Sequence, residues 1–164
     1  MKDLQKKLDS LVAKYKEEML VVNERRKEWE ERVKPLVLGI LEDFVKENEL
    51  PCEVGVNGNF KNMEVVYLAF QNEDSGIAST VNQQVFTKTG GGLMYAQQAN
   101  GKVNSFIILP FIENIKGNKN DTQEIDSCHI NEIDEEMIKG DLITFLQKLL
   151  DWECFLREPI GFKM

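Results

Sequence analysis

From residue 1 to residue 48 the chain holds one glycine, Gly39, and one proline, Pro35. Apolar residues recur there at Leu4, Leu8, Leu11, Tyr15, Met19 and Val22. Spacings of three and four place them on one stripe of a helix, and with no breaker before Pro35 the helix is long. Proline fits the first turn of a helix, where its missing N–H costs nothing. A second, more buried helix with Leu36, Val37, Ile40, Leu41, Phe44 and Val45 is therefore expected to follow a kink or break near Lys34.

Between the two apolar stretches, every residue from Glu24 to Arg32 except Trp29 is charged. Opposite charges four apart, at Glu28 and Arg32, Arg26 and Glu30, and Lys27 and Glu31, each support a solvated helix by about 0.2 to 0.5 kcal/mol. No face of this stretch is expected to enter a core. Residues 1 to 34 thus read as a protruding charged helix and residues 35 to 164 as one α+β domain. In heptad terms Leu8, Tyr15, Val22 and Trp29 take a positions and Leu4 and Leu11 d positions, but Glu18, Arg25 and Arg32 occupy the later d positions. The seam fails after Tyr15, which favours a short antiparallel or packed helix pair over a sustained parallel zipper.

After Pro51 the pattern changes to alternation, broken by closely spaced turn signals. Strands are expected at residues 52–56, 63–70, within 77–89, at 93–99 and at 102–109. They form an antiparallel meander of about five strands. Asn57-Gly58 and Asn100-Gly101 mark hairpins, since both residue types tolerate positive φ. Residues 113–132 are long for a connection in a compact domain, and alternation within 124–130 marks a short edge strand inside it. The last element is an amphipathic helix with Ile138, Leu142, Phe145, Leu149, Trp152 and Leu156 on one stripe. Asp134 or Asp141 starts it, Pro159 ends it, and its apolar face packs on the sheet.

Composition closes several functional classes. A formal charge of −8 opposes nucleic-acid phosphates, and the arginine-containing run of residues 24–34, five basic residues against four acidic, is nearly neutral, so no nucleic-acid partner is expected. Neither a membrane span nor an export signal is read, and a cytoplasmic protein with reduced thiols is expected from three widely spaced cysteines. Gly90 to Gly92 are followed by alternating residues rather than a helix, which reads as a flexible turn or bulge and not a phosphate cradle. Cys52, Cys128, His129 and Cys154 lack zinc-ligand spacing, and the acidic run from Asp121 to Glu136 lacks the glycine of a calcium loop. Adjacent Cys128 and His129 point to opposite faces of a strand and form no nucleophile pair. No cofactor or metal is expected, and catalysis is not the favoured reading.

What remains is a non-catalytic protein-interaction domain that self-associates or docks a protein partner through its N-terminal helices. Leu8, Leu11, Tyr15, Met19, Val22 and Trp29 are the candidate contact residues. The order of helix, meander and closing helix in a small acidic chain resembles secretion chaperones in outline, with a longer first helix and no helix between strands; that resemblance implies partner binding. The alternative is a small-molecule-binding domain or degenerate enzyme, with a pocket on the sheet rimmed by Gly90 to Gly92 and residues 113–132.

Overall fold

A computed structural model describes residues 1–113 and 122–154. The chain is α+β, with a long N-terminal helix, antiparallel sheets and a C-terminal helix. Helix α1 spans Lys2–Glu28, passes through a π-helical turn at Trp29–Val33, and continues as α2, Lys34–Glu47. Eight strands follow: β1 Cys52–Asn57, β2 Val65–Phe70, β3 Glu73–Ala78, β4 Val85–Thr89, β5 Gly92–Gln97, β6 Val103–Ile108, β7 Phe111–Ile112 and β8 Thr122–Cys128. A 3₁₀ turn at Ile130–Glu132 leads into α3, Glu135–Cys154.

The helical backbone does not break at Lys34. Buried residues fall at Trp29, Val33, Val37 and Leu41, a strict spacing of four. In an ideal α-helix four residues overshoot one turn by about 40°, so such a row drifts off the core-facing side. The wider π turn takes up the excess between Trp29 and Val33 and keeps both side chains in the core. Pro35 sits in the first turn of α2, as its chemistry requires.

The expectation that the charged stretch has no core-facing side is overturned here. Trp29 is 1% exposed and Val33 fully buried, in one cluster with Val66, Leu68, Leu93, Tyr95, Ile107 and Phe145. The arginines beside them reach to backbone carbonyls instead of solvent. Arg25 Nη1 donates to the Asn100 carbonyl at 3.1 Å and Arg26 Nη2 to that of Ala99 at 2.9 Å, both in the β5–β6 turn. Arg32 donates to Ile133 O at 2.8 Å and Ile130 O at 2.9 Å, beyond the end of β8. On the other side of the helix, Trp29 Nε1 and Lys34 Nζ both donate to Glu64 Oε1, at 3.2 and 3.1 Å. Residues 22 to 33 are thereby part of the packed body, and the domain boundary expected at residue 34 does not separate them from it.

Sheet order is β1-β2-β5-β6-β8, all antiparallel, with a second sheet β3-β4-β7. This is not the simple meander expected: the β3–β4 hairpin leaves the main sheet, and β2 pairs with β5. Edge strand β8 lies inside the long 113–132 segment, where alternation marks it, and residues 114–121 lie outside the described residues. One face of the main sheet carries Val54, Val66, Leu68, Leu93, Tyr95, Val103 and Ile107 into the core beside Ile138, Leu142 and Phe145 of α3. Phe70 and Phe145 meet with ring centroids 6.1 Å apart. Asp134 starts α3 through its side chain, accepting from Met137 N at 2.9 Å. Asp141 is buried in the helix and accepts from Tyr95 Oη at 2.6 Å. Leu156 and Pro159 lie outside the described residues.

Gly101 holds the β5–β6 turn with φ of 82°, and its missing side chain has a second use. A Cβ there would stand 2.6 Å from Arg25 Cβ and 3.2 Å from the Val22 carbonyl, so the turn presses directly on α1. Trp29→Ala is expected to lower unfolding stability by about 3 to 5 kcal/mol, read by chemical denaturation, while Leu11→Ala stays within about 0.5 kcal/mol because its side chain touches no core.

Candidate functional site

The first helix changes character at Val22. Every residue from Met1 to Leu20 is exposed, and Val22 is the first buried one. Among the exposed residues are Leu4 at 65%, Leu8 at 57%, Leu11 at 52%, Tyr15 at 67% and Met19 at 42%, with Val12 and Leu20 beside them. At 1.5 Å per residue the stripe from Leu4 to Met19 is about 22 Å long. Single exposed apolar residues are normal on a protein surface; here five of them share one helix side and form a continuous row.

Four of the six candidate contact residues, Leu8, Leu11, Tyr15 and Met19, lie on this row. The other two do not. Val22 is buried beside the β5–β6 turn and Trp29 in the core against the chain's own sheet, so Trp29 cannot anchor a partner. The indole ring is apolar enough for the core and its N–H finds Glu64, which satisfies both halves of the side chain at once. Glu64 itself is held by the sheet: its backbone N–H donates to Gln97 Oε1 and its carbonyl accepts from Gln97 N. Lys34 gives a second measure of this anchor. Burial pulls its ammonium pKa down, but Glu30 and Glu64 outweigh burial and hold it above the ordinary lysine value.

A concave feature lies at the other end of the domain. A cleft of about 510 Å³ is walled by Pro51, Phe70, Gly90, Pro110, Leu146 and Leu149. The glycine run lines it for a packing reason. A Cβ on Gly90 would lie 2.5 Å from the Phe70 carbonyl, and one on Gly91 2.8 Å from Leu149 Cδ2. None of Gly90 to Gly92 has positive φ, and Gly92 already begins β5, so the run is a tightly packed strand entry rather than a flexible turn. At the polar rim Lys88 pairs with Glu153, lies 3.7 Å from Glu73, and sits 5.0 Å over the Trp152 ring. No described residue of the 113–132 segment lines the cleft.

The remaining reactive side chains are dispersed. Cys52 is on edge strand β1 and Cys128 on the opposite edge strand β8, separated by three strands. At about 4.8 Å per strand they stand far beyond the reach of one metal ion. Cys128 is buried while His129 is exposed. Among the described residues no group of three or more His, Cys, Asp or Glu could hold a metal, and no helix is long and apolar enough to cross a membrane. The Tyr95 hydroxyl is pushed far above its ordinary pKa by burial first and by Asp141 second, which keeps it a protonated donor to that carboxylate. Its place is structural, tying β5 to α3.

No family model, no curated protein and no solved structure matches this chain. Function therefore rests on the two surfaces just described.

Burial pushes the Cys52 thiol up to about 11, so at pH 8 it holds far less thiolate than an ordinary cysteine. Iodoacetamide at that pH is expected to alkylate exposed Cys154 first, with Cys52 at least about tenfold slower, as followed by peptide mass spectrometry.

Proposed function

We propose that this chain is a non-catalytic interaction domain that self-associates through the exposed half of its first helix. One observation carries the reading: Leu4, Leu8, Leu11, Tyr15 and Met19 form an exposed apolar row that none of the described residues covers. Keeping that row exposed forgoes the burial of five large side chains, each of which contributes about 1.5 to 3 kcal/mol when fully buried. The packed body has no such deficit on the same helix. From Val22 onward that side is filled by the sheet, the β5–β6 turn and the segment after β8. Rigid attachment at one end also lowers the ordering cost of docking the other, because the helix is nucleated by its packed half.

A second reading is favoured by the cleft beside Gly90, Gly91 and Leu149, whose volume falls in the range of small-molecule sites. Its polar rim is already self-paired through Lys88, Glu73 and Glu153, which leaves apolar contact as its main resource. Leu150 also lines the cleft, and an apolar fluorescent probe that binds the native chain but not the Leu150→Glu variant, at unchanged melting temperature, would favour this reading.

Self-association is tested by multi-angle light scattering across a concentration series. The native chain is expected to give a mass rising toward that of a dimer. Leu8→Asp/Leu11→Asp is expected to weaken association by at least about a hundredfold, with the melting temperature unchanged when both chains are compared at dilutions where each is monomeric, since neither residue is in the core. A native chain that stays monomeric at its highest soluble concentration contradicts the proposal.

A further inference from the structure

We infer that two copies pair these helices antiparallel, with Leu4 of one level with Tyr15 of its partner and Leu8 level with Leu11. This rests on the self-association proposed above and adds its geometry. The decisive feature is that one helix side serves two purposes along its length. Leu4, Leu8, Leu11 and Tyr15 continue along the a and d positions into Val22, Arg25, Trp29 and Arg32. In that second part the same side is occupied by the chain's own body: Val22 and Trp29 are buried, and Arg25 and Arg32 hold carbonyls of Asn100, Ile130 and Ile133.

A parallel partner helix that followed the seam past Tyr15 would run into that body. Gly101 shows how little room there is: even a single added carbon at the turn would meet Arg25 Cβ at 2.6 Å. An antiparallel partner runs the other way. Its residues beyond Tyr15 extend past Leu4, away from the first chain's sheet, so the two bodies sit at opposite ends of the paired helices and do not compete for space.

The register follows from the apolar positions. Antiparallel coils stack an a residue of one helix against a d residue of the other. Leu4 against Tyr15 and Leu8 against Leu11 then give four apolar layers by two-fold symmetry, and every paired position lies before Val22. Shifting the partner one heptad toward the body would set Glu18 against Leu8 and require Val22, which is already buried. A parallel pair would also bring the two Glu18 side chains face to face in one d layer, like charges that the antiparallel register keeps apart.

The test is disulfide trapping in a full-length Cys154→Ser background, which removes the exposed native thiol. Leu4→Cys and Tyr15→Cys chains are oxidised separately and as an equal mixture. In the inferred pair, residue 4 of one chain is eleven residues, about 16 Å, from residue 4 of the other, beyond disulfide reach, but level with residue 15. The mixture is expected to yield roughly tenfold more cross-linked dimer than either chain alone. Cross-linking of Leu4→Cys chains by themselves means parallel pairing and overturns the inference while self-association stands. Dimeric mass with no cross-link in any sample, including a Leu8→Cys and Leu11→Cys mixture, places the interface elsewhere and also overturns it. Monomeric mass of the native chain removes the self-association beneath it.

Discussion

The indole of Trp29 is the contact on which the architecture turns. It lies at the middle of a helical run from Lys2 to Glu47, fills the core between α2 and the main sheet, and places its N–H against Glu64. A tryptophan in a charged stretch satisfies two demands that other residues cannot meet together: a large apolar surface for the core and a donor for a half-buried carboxylate. Arginines on either side complete the attachment by reaching past the ring to carbonyls at the β5–β6 turn and after β8. Arginine suits this use because its long stem covers apolar surface while its planar head donates to more than one oxygen. The helix is thus fixed at its centre, and what precedes Val22 is held out at a defined angle by a rigid base.

That arrangement explains why one amphipathic side changes chemistry along its length. Before Val22 it is a row of leucines, a tyrosine and a methionine that no described residue of the chain covers. After Val22 it alternates buried apolar residues with arginines that bind backbone. An ordinary sustained zipper would have the same residue types throughout. The change at Val22 marks where intramolecular packing ends, and the proposed pairing uses the part before it.

Much of this was legible in the residues. The glycine-free start, the period-two segment and the C-terminal amphipathic stripe define α+β with a long first helix, because each signal comes from local spacing. The Asn100-Gly101 hairpin was likewise written in its turn chemistry. Long-range pairing was not. Nothing local tells β2 to skip the β3–β4 hairpin and join β5, since that choice is settled by which apolar faces meet. The burial of Trp29 is hidden in the sequence because its neighbours are charged and charge signals solvation, whereas Arg25, Arg26 and Arg32 are charged and attached to carbonyls about 70 to 100 residues away. Glu64 carries no sequence signal at all; only the fold brings it beneath Trp29 and Lys34. The exposed row, by contrast, is visible as a heptad fragment, and after Tyr15 its d positions are charged: Glu18, which stays exposed, then Arg25 and Arg32, which reach the chain's own carbonyls. Gly90 to Gly92 misled in a different way, since a run of glycines reads as mobility when its cause is backbone packed against Phe70 and Leu149.

Amide hydrogen exchange on the intact chain, followed by peptide over a dilution series, addresses the central claim directly: a helix locked at Trp29 whose earlier half is covered only by another copy. Protection at residues 29 to 41 should be high and independent of concentration, while protection at residues 4 to 20 should fall as the chain is diluted, because an uncovered helix opens readily. Equal and concentration-independent protection of both segments would contradict the account, since it would mean the early half is covered by its own chain.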